Sequence, residues 1–316
     1  MTLLGTSGID VSTLCLGTNV FGWTADEATS HDVLDSYVAG GGTFVDTADV
    51  YSAWIPGNSG GESETIIGTW LAKNAGRRDD LVIATKVSQL APSKGLGRDA
   101  ILAGCDASLE RLQTDRIDLY WAHYDDAETD LEETLSAFGE LIAAGKVRAI
   151  GASNYSAARL AEALALSDRK GLAKYVALQP HYNLVDREDY EATLAPVVSE
   201  HDIAVVPYYG LAMGFLTGKY RAGGDAVDSP RASGAAKYLE RPDAVAALEA
   251  AEAIADARGI SIAAVALAWL AAQPHVAAPI ASARTVDQLA DLLPVNALTL
   301  TELELAELSA ATADAS

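Results

Sequence analysis

One pattern constrains this chain more than any other: eight times over, a short run rich in β-branched residues is followed by a longer stretch with helical period. The short runs are 14–16, 43–45, 81–84, 117–121, 147–150, 175–178, 203–206 and 276–280. The stretches between them place apolar residues on one helical face, as Val33, Leu34, Tyr37 and Val38 do in 26–39 and Ile66, Ile67, Trp70 and Leu71 do in 62–75. Further helices are expected over 99–112, 131–144, 157–166, 190–200, 244–258, 262–272 and 286–293, and Gly40 to Gly42 and Gly145 mark two of the helix ends. Strands separated by helices lie parallel, because each helix carries the chain back to the same end of the sheet. Eight such units in 316 residues predict an α/β fold, a closed (β/α)8 barrel of the TIM type, as one catalytic domain over residues 1–316. Leu3-Leu4 and Ile9–Val11 read as an N-terminal β-hairpin capping the bottom of the barrel. Thr301 and Glu304 form a capping-box pattern that opens a C-terminal helix running to Ala313. The stretch from Tyr208 to Arg241 reads as long and irregular.

An open doubly wound sheet is the alternative, and it would need a glycine-rich loop directly after a first strand. The candidate, Gly95-Leu96-Gly97-Arg98-Asp99-Ala100, follows Pro92-Ser93-Lys94 instead and reads as a solvated turn. Charge narrows the partners. The chain has 22 Lys and Arg against 44 Asp and Glu, a net charge of −22. That repels nucleic acid and anionic lipid, so neither is expected as a partner. Cys15 and Cys105 cannot build a disulfide framework. The N-terminus has no basic region ahead of a long apolar run, and the longest apolar stretch, Ile260 to Ala272, is short for a bilayer span. A soluble, cytoplasmic protein is the expectation. His31, His181, His201 and His275 lack metal-ligand spacing, so no metal is expected.

In a barrel of this kind chemistry gathers where the strands exit at their C-terminal ends. Asp46 follows Phe44-Val45, Lys86 follows Ile83-Ala84-Thr85, and His123 follows Leu119 to Ala122. Ser153 and Asn154 follow Ile150-Gly151-Ala152, Gln179 follows Ala177-Leu178, Tyr208 follows Val206-Pro207, and Ser282 and Arg284 follow Ile280-Ala281. Alone, each has a bland reading: a turn aspartate, a solvated lysine, a structural histidine. An acid, an ammonium and an imidazole at three strand exits are hard to read as three separate accidents. A lysine buried at a strand end also requires a partner, which Asp46 is placed to supply.

The segments that carry these residues resemble the aldo-keto reductase family. The resembling pieces are Phe44 to Tyr51 with Gly61-Glu62-Ser63-Glu64 and Gly68, Ala84 to Val87, Asp118 to His123, Gly145 to Tyr155, Gln179 to Asn183, and Gly214 to Tyr220. They occur in the family's order from about Leu14 to Leu293. The resemblance implies a catalytic tetrad of Asp46, Tyr51, Lys86 and His123. Tyr51 would be the general acid that protonates a carbonyl oxygen as a hydride reaches its carbon. Lys86 would lower the Tyr51 pKa, Asp46 would hold Lys86 charged, and His123 would orient the carbonyl.

The resemblance also implies a nicotinamide dinucleotide bound without a Rossmann fold. Ser153, Asn154 and Gln179 would bind the carboxamide, and Tyr208 would stack on the ring. Backbone near Gly17 and Thr18 would approach the nicotinamide ribose. The loop from Leu211 through Gly214 to Lys219 would cover the pyrophosphate, and Ser282, Arg284 and Gln288 would take the adenosine phosphate. The planar fork of Arg284 suits a 2′-phosphate, so NADPH is expected ahead of NADH. Ser282 stands where the family often has Gly, Leu292 where an Asn often contacts adenine, and Tyr208-Tyr209-Gly210-Leu211 where Tyr-Ser-Pro-Leu is more usual. Trp23, Trp54, Tyr124 and Tyr209 are the expected wall for a small-molecule carbonyl substrate, and the insertion from Ser52 to Ser59 is expected to shape specificity. The function expected is reduction of an aldehyde, a ketone or an oxo-sugar. Two alternatives keep the same barrel: a cofactor-binding redox-sensing subunit with slow turnover, and a lyase or aldolase forming a Schiff base on Lys86. The oligomeric state is not legible.

Overall fold

Strand parity determines what this protein encloses. The computed structural model describes residues 1–221, 223, 227 and 229–312. The expected irregular stretch includes residues 222, 224–226 and 228, and the expected last helix ends at Ala313; these positions lie outside the described residues. The chain opens with an antiparallel hairpin, β1 (Thr2–Leu3) and β2 (Asp10–Val11). Eight strands follow: β3 (Cys15–Gly17), β4 (Phe44–Asp46), β5 (Val82–Val87), β6 (Ile117–Ala122), β7 (Val147–Ser153), β8 (Tyr175–Gln179), β9 (Ala204–Val205) and β10 (Ile280–Ala281). All eight pair in parallel, in the order β10-β3-β4-β5-β6-β7-β8-β9. The ring closes where β9 meets the segment entering β10. There Val205 N donates to His275 O at 2.8 Å, Ala277 N to Val205 O at 2.9 Å, and Ile280 N to Pro207 O at 2.9 Å. This is the (β/α)8 barrel.

Outside the ring lie α1 (Glu27–Ala39), α2 (Glu62–Lys73), α3 (Arg98–Leu112), α4 (Leu131–Ala143), α5 (Ala157–Lys170), α6 (Ala195–His201), α7 (Ala232–Ala236), α8 (Pro242–Arg258), α9 (Ile262–Ala271), α10 (Val286–Leu292) and α11 (Glu302–Ala310). Asp26, Asp130, Ser156, Ser261, Thr285 and Thr301 each cap a helix by accepting a backbone N–H, and Thr301 and Glu304 complete the capping box. Three expectations shift, and proline is the physical reason for the first two. The helix expected over 190–200 is split into a wide π-type turn, Tyr190–Leu194, and α6, because Pro196 has no N–H to continue the ladder. The last two strands are shorter than expected because Pro207 and Pro279 cannot donate within the sheet. The irregular stretch holds short helices at Ala212–Thr217, α7 and Lys237–Glu240.

Two cores result. One fills the barrel with Phe44, Val82, Leu119, Trp121 and Ala177, and the hairpin plugs its bottom with Leu4, Ile9 and Val11. The other lies between strands and helices, where α9 is buried almost all round. Among the described residues no single helix is long and apolar enough to cross a bilayer; α8 and α9 reach that length only together and meet at 107°. Inside the barrel, Gly151 on β7 makes room for an indole. A Cβ there would lie 2.3 Å from ring carbons of Trp121 and 3.0 Å from Ala177 O. Gly151→Val is therefore expected to destabilise the protein by at least about 2 kcal/mol through overpacking. Urea unfolding measures this, and a loss below about 0.5 kcal/mol would contradict the close approach of β7 and Trp121.

Candidate active site

Phe44 and Ala84 face the barrel interior, and successive side chains on a strand alternate faces. Two residues on, at the C-terminal ends of β4 and β5, the same parity puts Asp46 and Lys86 inside. Both are buried, at 1% and 0% exposure. The Lys86 ammonium donates to the Asp46 carboxylate, to Thr47 O at 2.8 Å and to the Tyr51 hydroxyl at 2.8 Å. The other Asp46 oxygen accepts from Trp121 Nε1 and Gln179 Nε2, each at 3.0 Å. A buried ion pair survives only when its remaining donors and acceptors are satisfied, and here all three ammonium protons and both carboxylate oxygens have partners. Burial alone would lower the Lys86 pKa. Asp46 and Tyr51 outweigh it, so the pKa is raised and the ammonium persists.

The loop after β4 turns Tyr51 back over this ammonium, which sits 4.7 Å from its ring centroid. Burial pushes the Tyr51 pKa up to about 12, with Lys86 pulling it down and Asp46 adding to the rise. The expected lowering by Lys86 is thus present, but burial outweighs it. His123 stands 6.2 Å from Tyr51, ring to ring. Burial first, and the Lys86 charge second, hold its pKa well below the ordinary imidazole value. The imidazole is therefore neutral at pH 7. Its Nδ1 is buried without a partner among the described residues.

Above these groups opens a cleft of about 630 Å³. It brings together every residue expected at the site except Lys86, sealed beneath it, and Thr18. Thr18 turns inward, donating to Asp46 O at 3.0 Å and accepting from Ser63 Oγ at 2.8 Å. Asn19 takes its place in the wall and accepts from Ser282 Oγ at 2.8 Å. Asn154 donates to His123 O at 2.9 Å and to Ser153 Oγ at 3.0 Å, and it accepts from the Tyr208 hydroxyl at 2.9 Å. Gln288 Oε1 accepts from Arg284 N at 3.0 Å. Trp23 and Trp54 meet edge to face at 5.6 Å, and Trp54 is half exposed at the mouth.

Sequence reasoning missed Trp121 as a partner of Asp46, and it missed Arg231. The latter lines the cleft from the irregular stretch, where no periodicity marks it. Among the described residues Lys94, Arg169, Lys219, Arg231, Lys237 and Arg284 have no carboxylate within 4 Å. Three of these six, Lys219, Arg231 and Arg284, line the cleft. In so acidic a chain, gathering three cations in the wall of one cleft equips it for an anion.

The fold and this site define an aldo/keto reductase: residues 13–313 match the Aldo/keto reductase family, and the chain belongs to it. It is 35% identical to the protein named Uncharacterized oxidoreductase YrpG of Bacillus subtilis, over 92% of this chain and 89% of that one. It is 35% identical to Protein tas of Escherichia coli, over 96% and 95%. It is 34% identical to an Arabidopsis thaliana protein named Probable voltage-gated potassium channel subunit beta, over 90% and 88%.

The His123 shift has a consequence for stability. Unfolded, the imidazole takes a proton near pH 6.5, whereas the folded protein withholds it. Below that pH the unfolded state binds more protons and stability falls; above it the contribution is complete. Wild type should therefore lose more stability than His123→Gln between pH 7 and pH 5, by up to about 1.4 kcal/mol per pH unit. Parallel denaturation curves for the two proteins would contradict a neutral His123.

Proposed function

We propose that this protein is an oxidoreductase that uses NADPH, with NADH as the poorer cofactor, to reduce an aldehyde or ketone to the alcohol. One observation carries the reading: a phenol hydrogen-bonded to a buried, charged ammonium lies on the floor of a cleft that is also lined by three cations, Lys219, Arg231 and Arg284. That donor set fits a dinucleotide with its phosphates. Ser153, Asn154 and Gln179 would hold the carboxamide, Tyr208 the nicotinamide face, and Lys219 with the 211–219 loop the pyrophosphate. Arg284, with Ser282 and Gln288 beside it, would hold the 2′-phosphate, whose oxygens match its planar fork. Arg231 would add a further charge along this path. Burial and the nearby Arg284 both lower its pKa, an anion would reverse that, and it sits within electrostatic reach of Tyr51 as well.

When bound, the cofactor supplies a hydride to the carbonyl carbon. Everything else falls to side chains of this chain. His123 donates an N–H to the carbonyl oxygen and orients it against the Tyr51 hydroxyl. As negative charge grows on that oxygen, Tyr51 gives up its proton. Its high pKa in the free site means that the donor form is fully populated at neutral pH. Lys86, already bonded to the same oxygen, stabilises the phenolate left behind, and Asp46 keeps Lys86 charged and still. Trp23, Trp54, Tyr124 and Tyr209 would wall the substrate.

The Schiff-base alternative fits less well, because a nucleophilic lysine needs a free, neutral amine and Lys86 is enclosed and held charged. A redox-sensing subunit remains the second reading, favoured by the likeness to the protein named as a potassium channel subunit. The test is NADPH and NADH consumption across a carbonyl panel, for wild type and Tyr51→Phe. Turnover with NADPH that falls about a thousandfold in the variant, with NADPH affinity unchanged, is expected. Full activity in Tyr51→Phe would overturn the proton-donor role, and tight NADPH binding with slow wild-type turnover across the whole panel would favour the sensing subunit.

A further inference from the structure

Behind Tyr208 and Tyr209, outside the cleft, lies a second polar cluster centred on Asp186. In the loop after β8, its carboxylate accepts from the Tyr238 hydroxyl at 2.6 Å, from Arg241 Nη1 at 2.8 Å and from Asn183 Nδ2 at 3.0 Å. His181 Nε2 approaches it to 3.2 Å. Burial would raise the Asp186 pKa, but these hydrogen bonds outweigh it and hold the carboxyl well below the usual range. Arg241 also donates to Val185 O at 2.5 Å, so the turn at 238–241 and the loop at 181–186 are joined at several points.

Three partners of Asp186 touch the wall of the cleft or the segment that carries it. The His181 ring lies nearly parallel to Tyr208, at 5.6 Å between centroids and 13° between planes, and edge-on to Tyr209 at 5.5 Å. Asn183 Nδ2 donates to Tyr209 O at 3.1 Å. Tyr238 stacks on Phe215 at 5.3 Å. The segment so braced is strained: Tyr209, Ala212 and Met213 have φ values of +56°, +47° and +57°, and none is glycine. Such conformations persist only where the surroundings over-determine them. Among the described residues, Asp186 is the group that touches three of those supports, His181, Asn183 and Tyr238, at once. The same stretch carries Leu211 and Gly214, and Arg231 lies seven residues before Tyr238.

We propose that Asp186 is a positioning residue for cofactor binding. It fixes the plane of Tyr208 through His181 and the strained turn at 209–214 through Asn183 and Tyr238, so that the cleft is set before the cofactor arrives. This rests on the NADPH reading above. A pre-organised wall strengthens binding by removing the cost of ordering it, and it leaves the reaction at Tyr51 untouched.

The experiment titrates the full chain with NADPH by fluorescence, without any carbonyl compound, for wild type, Asp186→Ala, Asp186→Asn and Tyr238→Phe. In Asp186→Ala the dissociation constant should rise about tenfold or more, with faster NADPH release, and Asp186→Asn should fall between that and wild type. Tyr238→Phe keeps the ring on Phe215 and removes one hydrogen bond. It guards against a variant that fails to fold, and it should weaken NADPH about threefold. At saturating NADPH, kcat should stay within about twofold of wild type in every variant that folds, and because Tyr209 also walls the substrate, KM for the carbonyl compound should rise by less than the NADPH constant does. NADPH constants unmoved in the folded variants would overturn the proposal, as would carbonyl KM rising in step with them. No NADPH binding by wild type would remove the cofactor reading, and this proposal with it.

Discussion

A lysine ammonium sealed in the mouth of a barrel is the constraint on which the rest of this structure depends. Taking such a charge out of water costs several kcal/mol, and the cost is met only if every proton finds an acceptor. Lys86 has three: a carboxylate, a backbone carbonyl and a phenol. That requirement fixes the places of Asp46, the turn at Thr47 and the Tyr51 loop. Asp46 must in turn be satisfied, which draws in Trp121 from β6 and Gln179 from β8. Trp121 fits because the facing position on β7 is Gly151. The barrel interior at this level is thus a hydrogen-bonded layer linking four strands, and the phenol at its top is held where a reacting oxygen can reach it.

The second organising feature is the distribution of charge. Against a net charge of −22, most cations in this chain are drawn into ion pairs with carboxylates. Among the described residues Lys219, Arg231 and Arg284 have no carboxylate within 4 Å, and they line the same cleft. Fixed cations in a partly enclosed cleft within an acidic protein focus the field on that cleft and select an anionic occupant over a neutral one.

Much of this was legible in the sequence, and what was not has identifiable causes. Alternating runs read as strands and helices because burial on both faces of a parallel sheet leaves a strong apolar signal. Asp46, Lys86, His123 and Gln179 stood out because each interrupts that signal at a strand end. Trp121 did not, since an indole in an apolar run looks like core and its Nε1 partner lies 75 residues away. Arg231 sits in a stretch without period. Asn19 was not singled out because a turn, unlike a strand, has no parity to say which side chain faces the cleft. The Tyr51 pKa went in the opposite direction to the one expected, because a neighbouring charge can be inferred from a motif whereas the depth of burial cannot.

The central claim is that Lys86 and Tyr51 act as one unit, and a double-mutant cycle on kcat tests it most directly. With Lys86→Met, Tyr51→Phe and the double variant measured at saturating cofactor and substrate, the account predicts that the losses do not add. The double variant should be no slower than the worse single one, within about threefold, because either change removes the same charged, bonded phenol. Losses that multiply in the double variant would mean that the two side chains contribute independently, and would contradict it.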